Sequence, residues 1–214
     1  MSASARSPAA LVAIGFNSAW VAPDSLFARR LRSSFHDSSY FEDRAAAILP
    51  KVNALAAAVR GTAGTVVWVT PELRTGTASD WPISHRASLL DQGFDEPCHD
   101  GLDTYALAPS IVDHPRDHRL STFSMSAFWG GPLLATLRNL GVTDVLVAGC
   151  LTQSAVVISA MDSTNTGFLT AVVDDACADV SQERHDESLS LHSRMFRLTG
   201  TSEVISSLAE EIRA

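Results

Sequence analysis

Residues 145–158 read VLVAGCLTQSAVVI. Four apolar residues in a row form a buried strand, Gly149 supplies a tight turn, and LTQS leads into a second apolar run with helical spacing. A strand–turn–helix junction directs the unpaired N–H groups of a helix start toward whatever lies beyond the strand. In hydrolytic α/β folds such a junction carries the nucleophile. Here Cys150 follows the glycine at once, and Ala155 stands where the helix begins. Which of the two matters decides the chemistry.

Working outward, ALVAIGF (10–16), GTVVWVT (64–70) and FLTAVVDDA (168–176) repeat the pattern of 144–150. Continuous apolar runs of this length predict parallel strands buried on both faces. Helices are predicted over 40–64, with Pro50 expected to kink or split it, and over 130–143, with Pro132 in the first turn. Further helices are predicted over 151–168 and 181–196, and a last strand and helix over 197–214, with Thr201 or Ser202 as N-cap. Alternating strands and helices predict an α/β fold: a Rossmann-like three-layer αβα domain over 1–214 with a mostly parallel sheet of about six strands. The loop-rich tract 71–121 is expected to roof a pocket beyond the strands' carboxyl ends.

The chain has 214 residues and a net charge of −8, with 46% hydrophobic and 19% charged residues. That acidic balance argues against nucleic acid or an anionic membrane as partner. No run approaches the ~18–20 apolar residues needed to span a bilayer, and the apolar N-terminal run reads as a strand and not as a signal peptide, so a cytoplasmic protein is expected. Cys98, Cys150 and Cys177 are too widely spaced to suggest a disulfide framework or zinc site. Lys51 is the only lysine.

LVAIGFNSAW, then STFSMSAFWGGPLLATLRNLGVTDVLVAGCLTQSAVV, then AMDSTNTGFLTAVVDDACADVSQERHDESL resemble, in order and spacing, three blocks of the isochorismatase-like hydrolase family. That family includes nicotinamidases, N-carbamoylsarcosine amidases and isochorismatases. The resemblance spans roughly 10–205 and implies a catalytic trio: an aspartate after the first strand, a lysine four residues before SAF, and a cysteine six residues after the strand glycine. Those positions hold Gly15, Thr122 and Ala155. Lys51, in the first long helix, is placed to replace none of them. Isochorismatases proper lack the cysteine but retain the aspartate and lysine; this chain departs further.

Candidate replacements are Glu72, a possible general acid if its pocket is apolar, and Arg74, a possible carboxylate clamp. The resemblance places them where nicotinamidases hold metal ligands, but the ligand spacing is broken, so no metal and no cofactor are expected. Asn17, Trp20, Phe128 and Trp129 are expected to wall the pocket, with Thr122, Ser126, Cys150, Leu151 and Ala155 at its floor. The resemblance also puts a non-proline cis peptide at Thr152, whose turn, with the Ala155 N–H, would form an oxyanion hole. His114 and His118 have helical spacing but lie in a Pro-containing loop, His85 and His99 lie in the roof tract, and His185 reads as structural.

The expected function is a non-standard enzyme on this scaffold. It would act on a small cyclic or planar metabolite by non-covalent acid/base chemistry, as a dimer or tetramer, within bacterial specialised metabolism. An inactive ligand-binding or partner subunit is the alternative. A cysteine hydrolase using Cys150 is the third reading.

Overall fold

The computed structural model describes residues 8–33, 37–71, 82–83 and 106–213. Six parallel strands make one sheet: β1 (Ala9–Ile14), β2 (Thr65–Pro71), β3 (His118–Thr122), β4 (Asp144–Cys150), β5 (Leu169–Ala178) and β6 (Arg197–Thr199). Their spatial order is β3-β2-β1-β4-β5-β6. Around them lie α1 (Ser18–Val21), α2 (Leu26–Ser33), α3 (Ser39–Arg60), α4 (Leu133–Asn139), α5 (Val157–Asn165), α6 (Gln182–His192) and α7 (Thr201–Arg213). No helix among the described residues is long and apolar enough to cross a membrane.

Alternation along each strand divides the core into two layers. Leu11, Ala13, Val66, Trp68, Leu146, Ala148 and Val173 face Ile48, Val52, Leu55 and Val59 of α3 and Val204 and Leu208 of α7. Val12, Ile14, Val67, Val69, Val145, Val147 and Val172 face Leu133 and Leu137 of α4, Val157 and Ala160 of α5, and Leu189 of α6. Both faces of the strands are therefore apolar, which is why the sequence runs were continuous and not alternating.

Several expectations are corrected. β3 was read as part of a loop tract. It is an edge strand paired only with β2, and its five residues, HRLST, include one large apolar side chain. Pro50 does not split α3, which runs unbroken through it. Ala46, Ala47 and Pro50 lie on the exposed side of that helix, where solvent serves the carbonyl that proline leaves without a donor. α4 is shorter than predicted and takes Pro132 as its N-cap, not within its first turn. At α7 neither Thr201 nor Ser202 is the cap: the Thr201 N–H and hydroxyl both donate to Asp175 Oδ1 at 2.8 Å.

Asp175 lies within β5, in the irregular stretch where the β4–β5 pairing jumps from Val147↔Val172 to Gly149↔Cys177. Its other carboxylate oxygen accepts from Lys51 at 3.0 Å, so the sole lysine ties α3 to β5 and α7. A second tie is more deeply buried. Asp117, just before β3, accepts from Arg60 at 2.6 and 2.9 Å and from Trp68 Nε1 at 2.8 Å. Burial pushes the Asp117 carboxyl up, but the bonds from Arg60 and Trp68, the Arg60 charge and the His114 N–H outweigh it and hold it below its ordinary range.

A carboxyl held low contributes stability that is present above its usual value of 3.8 and is lost as pH falls through the lower folded value. Asp117→Ala should lower the unfolding free energy by about 3 kcal/mol, because Arg60 and Trp68 both lose their acceptor. Urea titrations at neutral pH check this. The deficit should shrink when the titrations are repeated at progressively lower pH below 3.8.

Candidate functional site

In a sheet of this order the crevice opens at the carboxyl ends of β1 and β4, where the connections part to opposite sides. Directly after β1 comes Gly15, whose N–H donates to Val69 O at 3.0 Å and whose φ is +76°. A Cβ built there would stand 2.8 Å from Cys150 O and 3.3 Å from Cys150 Sγ. β1 and β4 thus meet backbone against backbone, with no room between them for a side chain at position 15.

Cys150 is the last residue of β4, not a loop residue. It is 3% exposed and belongs to the layer under α3. Its thiol donates to Gly15 O at 3.6 Å, and burial drives its pKa far above the ordinary thiol range. A thiol buried in the core and bonded to a backbone carbonyl is poorly placed to attack a substrate, which weighs against Cys150 as a nucleophile. Cys177 is fully buried too, its pKa pushed up to about 12 by burial. The cis peptide is Cys150–Leu151, one bond earlier than expected.

Residues Thr152–Val156 form a π-type turn that runs into α5. Three of its N–H groups are engaged internally: Gln153 donates to Asp179 Oδ2 at 2.6 Å, and Ser154 and Val156 both donate to Leu151 O, at 3.2 and 3.1 Å. None of these three is the Ala155 N–H on which the expected oxyanion hole rests. Thr152 does not face a pocket. Its hydroxyl donates to Ala178 O at 3.2 Å and so accepts from His185 Nδ1 at 2.9 Å, which leaves the His185 ring proton on Nδ1. Ala155 is half-buried and leans on the layer under α5.

Asp179 was missed in the sequence, and the Asp-rich end of β5, VVDDACAD, was the available signal. Its carboxyl is fully shielded from solvent. Burial raises its pKa, against the pull of the Gln153 and Val180 N–H groups and the His185 and Arg184 charges. His185, read as structural, is buried against it, and burial together with the Arg44 charge lowers its pKa.

Thr122 ends β3, but its hydroxyl donates to Trp129 O at 2.9 Å and accepts from the Ser124 N–H at 3.1 Å, so it braces its own loop. Ser126 accepts from Phe128 N–H, and Ala127 N–H donates to Ser159 Oγ at 2.9 Å, docking the SAF turn on α5. Phe128 is core, 6.1 Å from Phe168, and Trp20 stacks on Phe27 at 4.4 Å, so neither is a free wall. Trp129 is 64% exposed. Asn17 is fully buried and caps α1 through Oδ1, which accepts from Trp20 N–H at 3.2 Å. Glu72, Arg74, His85, Cys98 and His99 lie outside the described residues. His114 Nδ1 accepts from Arg116 N–H, and no cluster among the described residues could hold a metal ion.

The model of the isochorismatase domain matches residues 9–204. The chain belongs to the isochorismatase family. Two curated relatives align over part of it: an uncharacterized family protein, YecD, of Escherichia coli O157:H7, 29% identical over 38% of this chain and 44% of its own, and maleamate amidohydrolase of Pseudomonas putida, 36% identical over 42% of each. The chain thus matches less than half the length of these relatives. A cysteine hydrolase structure from Pseudomonas syringae pv. phaseolicola superimposes with a TM-score of 0.78 at 17% identity, over 95% of this chain and 93% of that one. Within the family frame, Gly15 and Thr122 stand at the ends of β1 and β3, and Ala155 in the turn after β4.

Two measurements check this geometry. Gly15→Ala should cost well over the ~1–2 kcal/mol of a left-handed alanine, because its Cβ also meets a backbone carbonyl. Gly141→Ala, at φ +68° with nothing within 4 Å, should cost only that base amount in the same denaturation assay. For His185, the lowered pKa means the folded chain binds fewer protons than the unfolded one just below the usual 6.5. Stability should therefore be full above pH 6.5 and fall as pH drops from there, and His185→Asn, which retains an N–H for Thr152, should flatten that slope.

Proposed function

We propose that this isochorismatase-family protein is an enzyme acting on a small cyclic or planar metabolite without a covalent intermediate, by elimination, dehydration, cyclisation or addition of water. The observation that carries the reading is the sealed seam at Gly15 and Cys150: no side chain fits at position 15, and the neighbouring thiol is buried and donates to Gly15 O. The positions to which the family resemblance assigns aspartate, lysine and cysteine hold Gly15, Thr122 and Ala155. Gly15 and Ala155 carry no group that could donate a proton to a leaving group or attack a carbonyl, and the Thr122 hydroxyl donates to Trp129 O. Reactions that need only positioning and one proton transfer remain open to such a site. The proton donor in this reading is Glu72, with Arg74 holding a substrate carboxylate. A dimer or tetramer working in specialised metabolism belongs to the same reading.

One observation favours the alternative of an inactive partner subunit. The Thr122 hydroxyl and three N–H groups of the 152–156 turn are occupied by internal bonds.

Incubation of the purified protein with isochorismate, maleamate and a metabolite extract, followed by mass spectrometry, separates the two. The enzyme reading expects consumption of a metabolite that iodoacetamide leaves untouched and that Glu72→Gln slows by about a hundredfold or more. Consumption of nothing in the extract would favour the inactive subunit. Iodoacetamide-sensitive release of ammonia from maleamate would sink the non-covalent mechanism.

A further inference from the structure

Asn17 carries a buried polar atom, Nδ2, with no hydrogen-bond partner among the described residues. Its orientation is fixed. Oδ1 accepts from the Trp20 N–H at 3.2 Å, and exchanging the amide's two ends would set an NH₂ against that N–H. The main chain is clamped as well: Asn17 O accepts from Trp20 and Val21, Ser18 N–H donates to Ala106 O at 3.1 Å, and Phe16 O accepts from Ala108 N–H at 3.0 Å. The carbonyls of the two preceding residues are engaged already: Phe16 O accepts from Ala108 and Gly15 O from the Cys150 thiol. Asn17 stands three residues beyond the carboxyl end of β1, on the side where the sheet's connections part.

A buried amide donor without an acceptor is costly to keep, and in native chains it marks a place where something else completes the bond. We propose that Asn17 Nδ2 donates to a carboxylate or carboxamide oxygen of the small molecule bound at this site, an inference that rests on the small-metabolite reading above. The donor is uncharged and rigid, so it selects for an acceptor oxygen and against an ammonium or other donor group at that point of the ligand. Because Asn17 is wholly shielded, the ligand is one that the protein engulfs, which excludes a polymer at this position.

Maleamate, which carries both a carboxylate and a carboxamide, is the probe. Asn17→Asp retains the oxygen that caps Trp20 and replaces only the orphan donor with a second oxygen. Asn17→Ser retains a capping hydroxyl and removes the donor. Calorimetric titration should show maleamate binding to the unsubstituted chain and at least about tenfold weaker binding to both variants, each with an unchanged far-ultraviolet circular dichroism spectrum. A crystal grown with maleamate should place one of its oxygens in hydrogen-bond range of Nδ2, which reads the contact even if both variants fold poorly. Equal affinities, absence of binding to the unsubstituted chain, or a water molecule on Nδ2 with maleamate elsewhere would each overturn the inference. If a metabolite is consumed equally fast by Asn17→Ser and the unsubstituted chain, this inference falls and the enzyme reading stands. If maleamate sits on Nδ2 but nothing is consumed, the reverse holds.

Discussion

A parallel strand buried on both faces has nowhere to place a polar side chain except at its ends, and the rest of this structure follows from that constraint. β1, β2 and β4 expose almost nothing along their length, so the groups able to do chemistry collect where the strands stop. β3 stops at Thr122 and β4 at Cys150, while Gly15 and Asp179 lie one residue past the ends of β1 and β5. In this chain those ends are closed largely by the protein itself. Gly15 lies against the Cys150 carbonyl, Thr122 binds the carbonyl of Trp129, and Asp179 binds the first free N–H of the turn after β4.

The last of these contacts sets what the turn can do. A helix start attracts anions because its N–H groups are unpaired and its dipole favours negative charge. Here an internal carboxylate already occupies the Gln153 N–H, and a charge-assisted bond of that kind contributes roughly 1.5–3 kcal/mol. An incoming anion has to displace it or bind beside it. His185 joins the same cluster through Thr152, so the turn is held from β5 and α6 together. The arrangement secures the shape of the turn and engages three of its N–H groups, the Ala155 N–H not among them.

The fold was legible because apolar runs at 10–16, 64–70, 144–150 and 168–176 leave little choice other than strands covered on both sides. β3 was not, because HRLST sits at an edge where half-burial asks for no apolar run. Pro50 misled for a local reason: propensity reads the missing N–H, but not the solvent-facing side on which the freed carbonyl lies. At the site, the positions of Gly15, Thr122 and Ala155 came through the family resemblance alone, since nothing in composition singles out a glycine, a threonine and an alanine. The direction of each side chain was beyond reach. The Cys150 thiol meets Gly15 O across 135 positions of sequence, and Gln153 meets Asp179 across 26. Whether a cysteine at a strand end is reactive or inert is decided by such contacts and by burial, not by its neighbours in the chain.

The closing of β1 onto β4 also shows why the differences from the family pattern hold together. An acidic side chain at position 15 would need the Cys150 carbonyl to move, because the nearest obstacle is backbone and not the thiol. Trimming Cys150 to a smaller residue would relieve only the 3.3 Å contact and leave the 2.8 Å one. That carbonyl begins the cis peptide into Leu151, whose own carbonyl anchors the Ser154 and Val156 N–H groups of the following turn. A shift at one end of this segment is therefore transmitted to the position of Ala155 at the other. Position 15 and position 155 are linked through backbone, so side-chain exchange at either alone meets a main chain already set against it.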